Sequence, residues 1–227
     1  MNRVMDIQSI VFKIAVSFPG FLVAIICHEV AHGYVAMRFG DHTAKSAGRL
    51  NFNLMTHADP IGTLLIPLIG FGMGFPIIGW AKPVPINPRN FSNYKKGLFW
   101  VSFAGPLTNF VLGVFSAILM AICIFIIPSD FFLRGPFIQM LEFSILINFV
   151  LFLFNLIPLP PLDGSRMLSI FLDYNTNLKY QQLGNYTTII LLALLFTGAL
   201  RYLFMPIIWL AQVTIALCNY VVLMIFS

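Results

Sequence analysis

Charge is what this chain has least of. Its 227 residues include 13 basic and 8 acidic side chains, 9% in all, where ordinary globular chains carry roughly 25%. A soluble fold has too much surface to cover with so few charges. Cysteine is nearly absent as well: Cys27, Cys123 and Cys218 lie far apart in apolar stretches, without CxxC spacing, which excludes a disulfide-stapled domain and reads as small buried hydrophobes. Repeats and low-complexity tracts are missing. The +5 net charge comes from basic residues scattered between apolar runs, so nucleic acid is excluded as a partner.

What is present is hydrophobic. Apolar residues make up 59% of the chain, mean hydropathy is +0.90, and residues 98–127 form thirty positions without a charge. About 20 apolar residues cross a bilayer. The composition therefore predicts an all-α polytopic membrane protein embedded in lipid.

Five apolar regions stand out, at about 14–37, 60–79, 98–127, 143–162 and 187–226. The second holds five glycines and three prolines, too many for a straight helix. The last is twice the length of a bilayer crossing and is expected to split near Arg201 and Pro206 into two helices, or into one helix plus an interfacial piece, for about five transmembrane helices in total. Between the first two regions, residues 48–54 alternate polar and apolar side chains as a short β-strand would. A covering loop is the alternative there. The chain is expected to be a single domain, 1–227, with a core at about 14–172 and C-terminal helices at about 184–227.

Acids at membrane depth are costly and mark function. Glu29 lies inside His28-Glu29-Val30-Ala31-His32, an H-E-x-x-H sequence on a predicted helix. Residues four apart share a helix face, so both imidazoles can bind one metal ion, while Glu29 is turned about 100° away and is suited to act as a general base rather than a ligand. Zinc fits two neutral imidazoles and a carboxylate, with a fourth position left for water. Asp163 is the leading third ligand, since Pro158, Pro160 and Pro161 unwind the chain before it and unwound backbone at this depth must line a cavity or be buried in protein. Its alternative role is to cap a helix starting near Ser165.

Topology tests that assignment. Asp163 must return to the face that carries His28 and His32, so an even number of crossings separates them, and region two must be a re-entrant loop or hairpin. Nine of the thirteen basic residues then fall on the active-site face: Arg38, Lys45, Arg49, Lys82, Arg89, Lys95, Lys96, Arg166 and Lys179. The positive-inside rule makes that face, with the β-strand element, cytoplasmic. His57 and Asn109 are candidates for gating or substrate contact; hydrogen bonding at the interface for His57, and to backbone freed by Pro106 or to a neighbouring helix for Asn109, are the structural alternatives.

With these residues in hand, the chain resembles the site-2 protease family of intramembrane zinc metalloproteases, most closely a short bacterial branch without PDZ or CBS domains. The carriers are His28-Glu29-x-x-His32 with Gly40-Asp41; His57-x-Asp59-Pro60-x-Gly62-Thr63; Trp80-Ala81-Lys82-Pro83-Val84-Pro85; Gly105-Pro106-x-x-Asn109; and Asn155-x-x-Pro158-x-Pro160-x-Leu162-Asp163-Gly164. The resemblance implies one zinc ion per chain held by His28, His32 and Asp163, with Glu29 as catalytic base and Asn155 as a polar group near the substrate. It further implies cleavage of single-span membrane proteins or signal-peptide-like segments, in a bacterial cytoplasmic (inner) membrane with the active site toward the cytoplasm. Two other classes compete. A metal transporter would need polar groups through the other half of the bilayer, and residues 110–127 offer almost none; a catalytically silent scaffold of the same fold would not need the full set of candidate catalytic residues.

Overall fold

The computed structural model describes residues 7–73 and 79–226, and among these every regular element is helical. The elements run α1 (Ile7–Arg38), α2 (Thr43–Ser46), α3 (Leu54–His57), a π-helical turn (Pro60–Leu65) continuing into α4 (Ile66–Met73), α5 (Tyr94–Ile126), α6 (Arg134–Asn155), α7 (Asp163–Ser169), α8 (Tyr174–Gln182), α9 (Thr187–Phe196) and α10 (Leu200–Phe226). Among the described residues, four stretches are long and apolar enough to cross a membrane: α1, α5, α6 and Phe204–Phe226 within α10. This corrects the expected count of about five. The break in the last region falls at Gly198, whose φ of 71° is left-handed, whereas Pro206 lies inside α10. That break leaves α9 with ten residues, about 15 Å and too short to cross.

Small residues let the long helices approach. On α5, Gly105, Asn109, Gly113 and Ala117 recur every fourth position on one buried face. A methyl group at Gly113 would sit 3.1 Å from the Phe149 ring of α6, and one at Gly20 of α1 would sit 3.2 Å from Ser144. Close backbone approach is how helices gain dispersion contacts in lipid, where no hydrophobic force separates them from the tails. Two apolar clusters result. Phe21, Ala24 and Ile25 pack with Ile147 between α1 and α6, and Ala117, Met120, Ile145, Phe149 and Ile207 pack where α5, α6 and α10 meet.

The expected strand at 48–54 is not formed, and the reason lies in its polar positions. Asn51 donates to Gly48 O at 2.6 Å and accepts from Asn53 N–H and Thr56 Oγ1–H, while Asn53 accepts from Met55 N–H and caps α3. These side chains satisfy local backbone in turns, which competes with ladder pairing. Alternation of residue types alone did not register that competition.

The two described ends of region two meet through hydrogen bonds between Trp80 and the Gly62–Thr63 turn. Asp59 caps the π-helical turn by accepting from Ile61 and Gly62 N–H, and Pro60 needs no donor at its first position. Past α4, residues 74–78 lie outside the described residues, so the tip of the expected hairpin does too. Trp80 N–H then donates to Gly62 O at 3.1 Å, and Thr63 Oγ1 donates to Trp80 O at 2.8 Å. A Cβ at Gly62 would fall 2.3 Å from the Trp80 ring.

From Trp80 the chain runs as a proline-rich connector to α5, anchored along its length. Lys82 N–H donates to His57 O at 2.8 Å, and the Arg49 guanidinium reaches Lys82 O at 2.7 Å. Fully buried Asp41, just past α1, accepts from Asn87 N–H, from Asn90 Nδ2 and from Thr43. Burial alone would raise the Asp41 pKa, but these donors outweigh it and hold the carboxyl below its usual value. A folded pKa below the unfolded one, about 3.9, stabilises the fold at neutral pH and loses that contribution as pH falls through the folded value. Asp41→Asn is expected to cost about 1–3 kcal/mol near neutral pH, with the gap to wild type closing in acid. Thermal melts of both proteins across pH check this; a gap independent of pH would contradict it.

Candidate metal centre

α1 places His28 and His32 one turn apart on the face turned to α5, both buried. Each imidazole is fixed from behind. His28 Nδ1 lies 2.6 Å from Asn109 Oδ1, and His32 Nδ1 lies 2.6 Å from the Val101 carbonyl oxygen. Both partners are acceptors, so each Nδ1 carries the ring hydrogen and each Nε2 presents a lone pair.

Asp163 arrives from the far side. Pro158, Pro160 and Pro161 end regular structure after α6, and α7 begins at Asp163 itself and packs on α5. Gly164 permits the return: a Cβ there would lie 2.3 Å from Leu156 O. The Asp163 Oδ2 atom then sits 3.1 Å from His28 Nε2 and 3.2 Å from His32 Nε2, with the two Nε2 atoms 3.0 Å apart.

Two nitrogen lone pairs and a carboxylate oxygen thus converge with no donor among them. A cation resolves that crowding. Tetrahedral zinc with bonds of about 2.0–2.1 Å sets its ligand atoms about 3.3 Å apart, close to the observed triangle, so the residues present fit the metal. Within the described residues this is the one group of three His, Cys, Asp or Glu side chains whose ligand atoms so converge. Glu29 stands outside the triangle. Its half-buried carboxylate accepts from Val84 N–H of the connector at 2.8 Å through Oε2, as expected for a residue beside the ligands rather than among them.

The remaining candidates are not joined to the triangle in the same way. Asn155 ends α6, half-buried, with its amide donating back to Leu151 O at 3.0 Å. His57 is fully buried; its Nε2 pairs with Asn51 O at 2.8 Å and its carbonyl holds Lys82. In this conformation it is buried and anchors the connector. Asn109 is also fully buried and touches His28, so its expected contact is with a candidate ligand instead of a substrate.

Several contributors escaped sequence reasoning. The Val101 carbonyl and Val84 N–H are backbone groups, invisible in side-chain motifs. Gly105 stands in the Gly105-Pro106-x-x-Asn109 motif, but its role there is spatial: a Cβ would fall 2.4 Å from His32 Nε2 and 2.6 Å from His28 Nε2. Asn148, which contacts Asn109, was detectable as one of two amides, with Asn155, in the apolar fourth region.

Against known proteins, residues 121–197, which include Asp163, match the model of peptidase family M50. The chain is 40% identical over 190 residues to the Bacillus subtilis (strain 168) protein named "Putative zinc metalloprotease YwhC", covering 82% of this chain and 83% of that one. It is 31% identical over 196 residues to "Putative zinc metalloprotease Rip2" of Mycolicibacterium smegmatis, covering 84% and 70%. "Zinc metalloprotease MJ0392" of Methanocaldococcus jannaschii is 29% identical over 163 residues, 70% of this chain and 35% of that protein. No solved structure matches the chain significantly.

Proposed function

The chain belongs to peptidase family M50, the site-2 proteases, and from that membership we propose that this multi-pass membrane zinc metalloprotease hydrolyses peptide bonds of transmembrane substrates near the cytoplasmic face of a bacterial inner membrane. The observation that carries this reading is the triangle of His28 Nε2, His32 Nε2 and Asp163 Oδ2 with Glu29 beside it.

His28, His32 and Asp163 would hold one zinc ion. When bound, zinc supplies Lewis acidity toward the scissile carbonyl and the attacking water. Glu29 takes the proton of that water and delivers it to the leaving amine. Val84 N–H occupies Oε2, which orients the carboxylate and leaves Oε1 as the proton acceptor. Asn155, near the turn that brings Asp163 back, is suited to hydrogen-bond the substrate backbone.

Single-span proteins or signal-peptide-like segments are the substrates proposed, in regulated intramembrane proteolysis. A helical substrate hides its peptide bonds and must unwind locally to reach Glu29. The re-entrant reading of region two is supported by the pairing of Trp80 with Gly62 and Thr63, which brings both ends of the segment to one level. The cytoplasmic orientation is supported by the nine basic residues of the loops on that side.

The test uses purified full-length protein in detergent or nanodiscs. One zinc per chain, cleavage of a candidate single-span substrate, loss of both with chelator, and loss of zinc in Asp163→Ala are the expected results. Cleavage that persists without metal would overturn the reading.

A further inference from the structure

The two candidate histidine ligands are oriented by partners of different kinds. His32 faces a carbonyl oxygen, which can only accept, so its tautomer is settled by one contact. His28 faces the amide of Asn109, which presents an acceptor at one end and a donor at the other. Which end His28 meets depends on what the rest of the amide finds. Asn109 Nδ2 donates to Ala24 O of α1 at 3.1 Å and to Asn148 Oδ1 of α6 at 2.9 Å. The Asn148 amide is set in turn by Ser144 O, which accepts from its Nδ2 at 2.8 Å. Two helix carbonyls, Ala24 and Ser144, therefore close the relay at its ends.

We infer that Asn109, held in direction by Ala24 O and Asn148, is a positioning residue that keeps His28 in its Nδ1–H tautomer with the Nε2 lone pair turned to the metal. This rests on the zinc reading above. Turning the Asn109 amide over would set its NH2 against the His28 Nδ1 hydrogen and its oxygen against Ala24 O and Asn148 Oδ1, forfeiting all three hydrogen bonds. Asn109 and Asn148 are 0% and 1% exposed, so no water replaces those bonds. The opposite tautomer would place a hydrogen on Nε2, inside the triangle of atoms 3.0–3.2 Å apart, and remove a ligand. The relay also links three helices to the site: α5 through Asn109, α1 through Ala24 and α6 through Asn148.

The experiment combines two readouts on full-length protein in micelles. Nitrogen-15 ring shifts of histidine-labelled, metal-free protein, above the histidine titration range, report the tautomer; with four histidines in the chain, His28→Gln assigns the resonance. Zinc affinity is measured by chelator competition. Wild type is expected to show His28 as Nδ1–H. Asn109→Leu is expected to shift His28 toward Nε2–H and weaken zinc about 10–100-fold, and Asn148→Leu to move both readouts the same way by less, because Ala24 O still guides the amide. Asn109→Asp, which offers an oxygen to Nδ1–H whichever way it turns, should keep the tautomer and hold zinc more tightly than Asn109→Leu. Unchanged tautomer and affinity in folded Asn109→Leu, or equal loss in Asn109→Asp and Asn109→Leu, would overturn the inference. If Asn109→Leu does not fold, an unchanged His28 tautomer in Asn148→Leu does the same. Wild type that takes up no zinc would instead defeat the metal reading, while the metal-free tautomer still judges the relay.

Discussion

Glu29→Gln is expected to reduce substrate cleavage by about 10²–10⁴-fold while zinc content stays at the wild-type level. The glutamine is nearly isosteric, and its carbonyl oxygen can still accept from Val84 N–H, the contact Glu29 makes at 2.8 Å, so the connector keeps its place. What is lost is the ability to take a proton from water and return it to the amine. Zinc should be retained because Glu29 lies outside the triangle of His28, His32 and Asp163. Measured together, zinc content and single-turnover cleavage separate the roles. Zinc loss in the variant would make Glu29 a ligand, and undiminished cleavage would assign the base to another group. The inactive protein should also retain bound substrate, which makes it the reagent of choice for identifying natural substrates by crosslinking.

Gly105→Ala is expected to have an effect of similar size by a different route. The added methyl would lie 2.4 Å from His32 Nε2 and 2.6 Å from both Cε1 and Nε2 of His28. Neither ring is a flexible tip, since each is held from behind by a 2.6 Å contact at Nδ1. Helix α5 or both imidazoles must therefore move, and displacement of reacting groups by about 1 Å costs on the order of 10²-fold in rate. Zinc affinity should fall with activity. Gly113→Ala on the same helix is the control: its methyl meets the Phe149 ring at 3.1–3.3 Å, away from the metal, so it should lower thermal stability and leave zinc in place. Equal zinc affinity in Gly105→Ala and wild type would show that α5 is free to shift.

The long helices were legible because lipid demands uninterrupted apolar runs, and α1, α5 and α6 carry them. His28, Glu29 and His32 were legible because four-residue spacing on a helix is a geometric statement. Asp163 was legible because acids are few and Pro158, Pro160 and Pro161 unwind the chain just before it. Residues 48–54 misled because the alternation rule weighs where apolar side chains point, and Asn51 and Asn53 spend their polar groups on neighbouring backbone instead. The split in the last region is expected near Arg201 and Pro206; the turn falls at 197–199, just before Arg201, where Gly198 supplies the left-handed residue, while Pro206 is accommodated inside α10. The partners behind the ligands, Val101 O and the Asn109–Asn148 pair, follow from helix packing and were beyond the reach of a linear motif.

The connector that spends Val84 N–H on Glu29 and Asn87 N–H on Asp41 also bears on ionic strength. Asp59 and Asp173 likewise accept from backbone N–H groups, and among the described residues the acids placed within 4 Å of a basic side-chain nitrogen reduce to Asp163 beside the His28 and His32 rings. Carboxylates satisfied by fixed peptide dipoles at hydrogen-bond distance are little affected by a Debye length of about 8–10 Å. These carboxylates therefore keep their partners across a wide range of ionic strength, because those partners are peptide dipoles rather than mobile charged side chains.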